Sequence, residues 1–151
     1  HYDHVGSVKE LSEKLNVPIF AHRLAAEALR QGDDRTIISG SFGVNMPELE
    51  VQELEDSIIP TFEIIHTPGH TECSISLYHD ESDSLISGDT VFASGGVGRT
   101  DLPTGNMNEL IKSIEKLTEY DVKSLYPGHG PIVKNKADEH IERSLKNISY
   151  L

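Results

Sequence analysis

Six histidine and aspartate side chains, spread over most of the chain, are of the types that bind metal ions through imidazole nitrogen and carboxylate oxygen. They are His1, Asp3, His4, His70, Asp89 and His129. Two cations held about 3.5 to 4 Å apart by such ligands activate a water molecule for hydrolysis. The set therefore predicts a two-metal hydrolytic site.

Each candidate ligand lies in a short segment rich in turn-forming residues. The segments are HYDH at 1–4, HTPGHT at 66–71, SGDT at 87–90 and YPGHG at 126–130. Any one of them could be a turn without chemistry, and their joint occurrence is what favours a site. In the first segment an extended chain would separate His4 from His1 and Asp3, so we expect a tight turn at Val5 and Gly6. We expect His66 to form a local hydrogen bond rather than to bind metal.

Apolar periodicity and turn residues predict the elements that must position these segments. Helices are predicted from Ser7 to before Pro18, over 23–30, from the Asn106 cap through Leu117, and over Ala137–Ile148. Strands are predicted over Ile19–Ala21, 62–66, 74–78, 84–87 and 124–126, with loops over 40–47 and 94–105. His70, Asp89 and His129 each follow a predicted strand, where functional groups usually collect. The order predicts a mixed α/β fold with helices outside a β-sheet, in one domain over residues 1–151.

Composition limits the partners. Of 151 residues, 25 are acidic and 13 are basic, giving a formal charge of −12, which disfavours nucleic-acid binding. No apolar run has the roughly 20 residues that a membrane helix needs, and we expect a cytoplasmic protein with no membrane partner. The single cysteine, Cys73, excludes an intrachain disulfide and is expected to be a small core residue.

The segments HYDHVG, HTPGHT, SGDTVF and YPGHGP resemble the successive motifs of the metallo-β-lactamase superfamily. The segments SGDTVF, GRTDLP and YPGHGP are most similar to its glyoxalase II-like (hydroxyacylglutathione hydrolase-like) branch. The resemblance covers residues 1 to about 133. The resemblance implies an αββα sandwich, with His1 and His70 on metal one and Asp89 bridging. It places Asp3, His4 and His129 on metal two, with Asp3 also orienting the attacking hydroxide.

In that family the first motif is HxHxDH, whose first histidine would lie two residues before His1. A run of strands would also precede His1. We therefore expect this polypeptide alone to be incomplete as a catalyst and to expose an inner face of its sheet.

The resemblance implies hydrolysis of a small-molecule thioester of the hydroxyacyl-glutathione type by a hydroxide that bridges the two metals. A thiol leaving group has a pKa near about 8.5 and needs little help from a general acid. Arg99 matches a basic position that contacts glutathione in that branch, and pairing with Asp101 is the alternative. Two features weaken the glutathione assignment. Thr100 and Asp101 stand where those enzymes usually place a tyrosine, and the long C-terminal helical domain is not seen after His129.

Two other functions stay open. The first is a mononuclear iron persulfide dioxygenase of the same superfamily, which would use His70, Asp89 and the histidine before His1. The second is a non-catalytic fragment or binding module. Imidazole and carboxylate suit Zn, which we expect, as well as Fe or Mn. No chemistry is assigned to His22, and His79 and His140 are expected at the surface.

Overall fold

The computed structural model describes residues 1–149, which fall into two units, one over His1–Glu55 and the other beginning at Asp56. Each unit has its own cluster of buried apolar side chains. Within the described residues, no helix has the length and apolar character needed to cross a membrane. A single domain over residues 1–151 stays a prediction.

The first unit is mainly helical. Its elements are α1 (Tyr2–Val5), α2 (Val8–Leu15), β1 (Ile19–Ala21), α3 (Arg23–Gln31), α4 (Asp34–Ile37) and β2 (Val51–Glu53), with a 3₁₀ turn at Ser39–Phe42. The two strands pair in parallel. Helix α3 begins after His22, whose Nδ1 accepts a hydrogen bond from the Leu24 amide at 3.4 Å. It ends at Gly32, which is left-handed at φ 58° and lies against the backbone of Met46.

The second unit is a four-stranded sheet with two helices. Its elements are β3 (Glu63–His66), β4 (Ile75–His79), β5 (Ser84–Gly88), α5 (Met107–Leu117), β6 (Ser124–Pro127) and α6 (Ala137–Ile148), with 3₁₀ turns at Asp56–Ile58, Asp80–Ser82 and Ala93–Gly95. The strand order is β3-β4-β5-β6. Strand β4 is antiparallel to β3 and β5, and β6 is parallel to β5. Strands β3, β5 and β6 therefore run in one direction, and the loops that follow them leave the same edge.

One face of this sheet carries the core of the second unit. Ile65, Leu85 and Leu125, from the three strands that share a direction, are at most 1% exposed. They form one cluster with apolar side chains of α5 and α6, such as Ile114 and Ile141. Amphipathic helices thus fix the sheet from one side.

The opposite face is more open at β5 and β6. Ile86 and Tyr126 are register partners across the parallel pair and are 41% and 40% exposed. Side chains alternate between the faces of a strand, so these two project away from the helices.

The mixed α/β class is confirmed, and so are the four helices and five strands predicted from the sequence, most of them within one or two residues. Helix α6 and strand β1 have the predicted bounds. Helices α1 and α4 and strand β2 are missing from the sequence prediction. Strand β2 is three residues long and only Val51 in it is buried, so it has no alternating pattern to recognise.

Candidate metal centre

The loops after β3, β5 and β6 bring His70, Asp89 and His129 together at one edge of the sheet. His70 Nε2 lies 3.5 Å from Asp89 Oδ2, and His129 Nε2 lies 3.4 Å from the same oxygen. The side chains of His70 and Asp89 are 8% and 11% exposed, whereas that of His129 is 54% exposed. A nearly buried carboxylate oxygen is thus flanked by two imidazole nitrogens.

These separations fit a shared metal better than direct hydrogen bonds. They exceed the usual range of about 2.7 to 3.2 Å for a good N–H···O hydrogen bond. Two ligands that each lie about 2.1 Å from a tetrahedral cation are about 3.4 Å from one another. The donor set, two imidazoles and one carboxylate, suits zinc, iron or manganese.

Helix α5 holds the turn that presents His70. The Asn106 amide donates to the Gly69 carbonyl at 2.8 Å, and Ser113 Oγ donates to the Pro68 carbonyl at 2.6 Å. Gly69 has φ 141°, and a Cβ there would collide with the backbone of Leu110. Only glycine fits this turn against the helix.

A backbone carbonyl orients the His70 ring. His70 Nδ1 lies 2.7 Å from the Arg99 carbonyl oxygen, which can only accept a hydrogen bond. Nδ1 therefore carries the proton, and in the neutral ring Nε2 keeps the lone pair that a metal needs. This backbone contact is not predicted from the sequence. Gly98, the residue before Arg99, is the signal for it, because the absence of a side chain there lets the backbone pass close to His70.

Buried hydroxyl groups join the strand ends beneath the site. Thr90 Oγ1 donates to Thr67 Oγ1 at 3.1 Å, and Thr67 Oγ1 also bonds Ser76 Oγ at 3.1 Å. Ser87 Oγ donates to the Val91 carbonyl at 2.8 Å. All these residues except Val91 are polar and fully buried, so the network fixes the loop starts through satisfied hydrogen bonds.

In the first unit His1, Asp3 and His4 lie on one helical turn rather than an extended segment. The His4 amide donates to the His1 carbonyl at 3.1 Å, and the Gly6 amide donates to the Tyr2 carbonyl at 2.7 Å. His4 Nε2 lies 3.6 Å from Asp3 Oδ2. The expected extended conformation is wrong, because residues 2–5 form helical hydrogen bonds. The predicted turn at Val5 and Gly6 lies one residue later, at Gly6 and Ser7.

Arg99 forms the ion pair that the sequence offered as its alternative role. Its Nε and one terminal nitrogen donate to the two oxygens of Asp101 at 2.7 and 2.5 Å. The hydrogen bonds from Arg99 lower the pKa of the Asp101 carboxyl to about 2, and those same bonds raise the pKa of Arg99. Both side chains are exposed, so solvent screens the pair.

The remaining histidines have structural roles. His66 Nε2 bonds the Glu72 carbonyl oxygen at 2.9 Å, which confirms the predicted local bond. His79 and His140 are half-buried, with part of each residue exposed at the surface. His140 Nδ1 accepts a hydrogen bond from the Ser94 amide at 2.7 Å, which draws its ring toward the neighbouring loop.

Cys73 is half-buried rather than a core residue. Its Sγ lies 3.4 Å from Thr71 Oγ1, two residues before β4 begins. The expectation of a core position is wrong because the HTPGHT turn places Cys73 at the end of the sheet rather than within it.

Comparison with known proteins agrees with this geometry. The family model described as "Metallo-beta-lactamase superfamily" matches residues 1–129. The chain is 40% identical over 141 residues to "Probable metallo-hydrolase MJ0888" of Methanocaldococcus jannaschii, covering 87% of this chain and 66% of that protein. It is 32% identical over 142 residues to "Hydroxyacylglutathione hydrolase GloC" of Haemophilus influenzae, covering 86% and 65%.

Among solved structures, TTHA1623 in a di-iron-bound form aligns with a TM-score of 0.76 at 29% identity. The alignment covers 97% of this chain and 70% of that one. The predicted metallo-β-lactamase fold is thereby confirmed. The chain spans just under two thirds of the length of the two curated relatives.

Proposed function

The chain belongs to the metallo-β-lactamase superfamily, and from this premise we propose that it acts as a metal-dependent hydrolase. The observation that carries the proposal is the position of Asp89 Oδ2, within 3.4 and 3.5 Å of the Nε2 atoms of His129 and His70. One oxygen flanked by two imidazoles is suited to the bridging role between two cations.

The proposed ligands are those of the sequence motifs. His70, Asp89 and His129 are supported by their convergence in the second unit. The roles of His1, Asp3 and His4 rest on the HxHxDH resemblance alone. Two divalent cations, zinc with iron or manganese as alternatives, would when bound lower the pKa of a water from about 15.7 toward about 7 and polarise an acyl carbonyl.

The chain's own groups then prepare the reaction. The Arg99 carbonyl holds the proton on His70 Nδ1, so that Nε2 stays a lone-pair donor. The carboxylate of Asp3 would accept a hydrogen bond from the attacking water. This bond would direct a lone pair of the water oxygen at the substrate. The depth of Asp89, with an 11% exposed side chain, keeps competing solvent from its oxygens.

We propose a small-molecule thioester as the substrate. The named activity of the Haemophilus relative is hydrolysis of a hydroxyacylglutathione, and that protein is 32% identical to this chain. A thiolate leaves without a general acid, which agrees with the imidazole and carboxylate composition of the site. Arg99 would contact an anionic part of the thioester by exchanging its Asp101 partner for the substrate. A cytoplasmic location and a lack of nucleic-acid and membrane partners stay predictions.

The test uses the protein as its gene encodes it. Metal content is measured by elemental analysis, and thiol release is followed with a hydroxyacylglutathione, a non-glutathione thioester and the matching oxygen ester. We expect two metal ions per chain and turnover of at least one thioester. One iron with oxygen uptake on a persulfide would replace the hydrolase with a dioxygenase. A metal-loaded protein inert to all these substrates would favour a binding module.

A further inference from the structure

Three polar side chains of α6 hold a short loop segment, 94–96, through its backbone. They lie at positions 140, 144 and 147, which is the spacing of one helical face. The Ser94 amide donates to His140 Nδ1 at 2.7 Å, Asn147 Nδ2 donates to the Gly95 carbonyl at 2.9 Å, and Ser144 Oγ donates to the Gly96 carbonyl at 3.0 Å. Three consecutive residues of the loop are thus bonded to one helix.

The backbone of this segment depends on that helix. Ser94 and Gly95 are both left-handed, at φ 62° and 85°, a conformation that a serine adopts only where its surroundings impose it. A Cβ on Gly95 would lie 2.6 Å from Arg143 Cγ and from Asn147 Nδ2. The loop is therefore in direct contact with α6, and glycine is needed for the approach.

The same loop continues to the candidate metal ligands. Val91 and Val97 form an antiparallel bridge that closes it. Gly98 then passes so close to Asp89 and His70 that a Cβ would collide with the Asp89 carbonyl and lie 3.0 Å from His70 Cβ. The next residue, Arg99, places its carbonyl oxygen 2.7 Å from His70 Nδ1.

We propose that His140, Ser144 and Asn147 are positioning residues that fix the ring tautomer of His70 through the Arg99 carbonyl. This inference rests on the proposed metal-binding role of His70, but its first readout does not need metal. When the helix no longer holds 94–96, the Arg99 carbonyl moves away from Nδ1, and the proton distributes over both ring nitrogens. A smaller fraction of rings then presents a lone pair on Nε2, and metal affinity falls.

The experiment compares Ser144→Ala, Asn147→Ala and the double variant with Glu142→Ala and Lys146→Ala, two exposed positions of the same helix that make none of these bonds. Long-range ¹H–¹⁵N spectra of the metal-free protein report the His70 tautomer, and competition with a zinc chelator reports zinc affinity. We expect the Nε2–H form of His70 to appear in the first three variants, with zinc Kd raised about 10- to 100-fold in the double variant, as for lost outer-sphere partners. The control variants should match the unmodified protein in both measurements. Ser144→Thr, which keeps the hydroxyl donor, should match it as well.

Two results would overturn the inference. One is a folded double variant that loses thermal stability but keeps the His70 spectrum and the zinc Kd. The other is an unmodified protein whose His70 already carries its proton on Nε2. If the double variant does not fold, Asn147→Asp, which keeps the side-chain size but removes the donor, takes its place. A tautomer shift in a protein that hydrolyses nothing would separate this inference from the proposed function.

Discussion

His129 Nε2 and Asp89 Oδ2 lie 3.4 Å apart, although the two residues come from loops that follow different strands. The cause is the parallel pairing of β5 and β6, in which Gly88 is opposite Pro127. Parallel strands end at the same edge, so residues just beyond each end must be neighbours. The separation of these two candidate ligands is therefore set by the spacing of the strands.

Replacing Asp89 with asparagine tests the proposed bridging role of this side chain. Asp89→Asn keeps the shape of the side chain but removes its negative charge, so we expect metal content to fall by at least one ion per chain. Thioester kcat/KM should fall at least about 100-fold, since loss of an outer-sphere partner alone costs 10- to 100-fold. Elemental analysis and thiol release measure both. Asp80→Asn, at an exposed 3₁₀ turn, is the matched control and should change neither. Full metal occupancy in Asp89→Asn would contradict the assignment.

A methyl group at Gly98 should strain the loop between Asp89 and His70. The added Cβ would collide with the Asp89 carbonyl, so Gly98→Ala should destabilise the fold by about 1 to 3 kcal/mol. For a chain of this size that corresponds to a fall in Tm of about 2 to 4 °C per kcal/mol. In Gly96→Ala the nearest contact, Phe92 Cβ, is at 3.2 Å and the fall should be smaller. Equal Tm values for the two variants in calorimetry would contradict the prediction, because they would show that the loop backbone can shift to accommodate the added Cβ.

The Arg99–Asp101 pair should be visible in an acid titration. The hydrogen bonds of this pair lower the pKa of Asp101 from 3.8 to about 2. The pair therefore stabilises the folded protein in full above the ordinary pKa, and this contribution is lost as the pH falls through about 2. The Asp101 carboxyl ¹³C shift should titrate near that lower value. In Arg99→Gln the midpoint should return toward 3.8, whereas Arg35→Gln should leave it unchanged. High salt should raise the midpoint because both side chains are exposed.

The start of α5 can be weakened without touching a candidate ligand. Asn106 Oδ1 accepts a hydrogen bond from the Glu109 amide at 3.1 Å, so Asn106→Ala should cost about 0.5 to 2 kcal/mol in free energy of unfolding. Asn106→Asp keeps the acceptor and should retain most of the stability. Asn108→Ala, an exposed position in the first turn, should be neutral in urea denaturation. A neutral Asn106→Ala would mean that the cap contributes nothing.

Local patterns predicted most of the elements that build the site. Some features can be predicted because they depend on residues only a few positions apart. They include the Asn106 cap, the apolar stripe of Leu110 and Ile114, and the bounds of α6. The sequence also predicts that each candidate ligand follows a strand. In the structure these strands end at the same edge of the sheet, where His70, Asp89 and His129 lie close together.

The sequence could not predict what depends on distant backbone. The Arg99 carbonyl that bonds His70 is a main-chain atom, and every residue has one, so no residue type marks it. The helical turn of α1 was missed because its four residues have no apolar period. The hydrogen bond between the Ser94 amide and His140 likewise joins positions that are far apart in the chain.

The close approach of Gly69 to the backbone of Leu110 also has a consequence for recombination between related genes. We expect the HTPGHT turn and α5 to be exchanged only together, because carbonyl groups of the turn accept hydrogen bonds from Asn106 and Ser113. A crossover that joins the turn of one parent to the helix of another would pair surfaces that had not been selected together. In a library of shuffled relatives, we expect the surviving chimaeras to take residues 68–113 from a single parent.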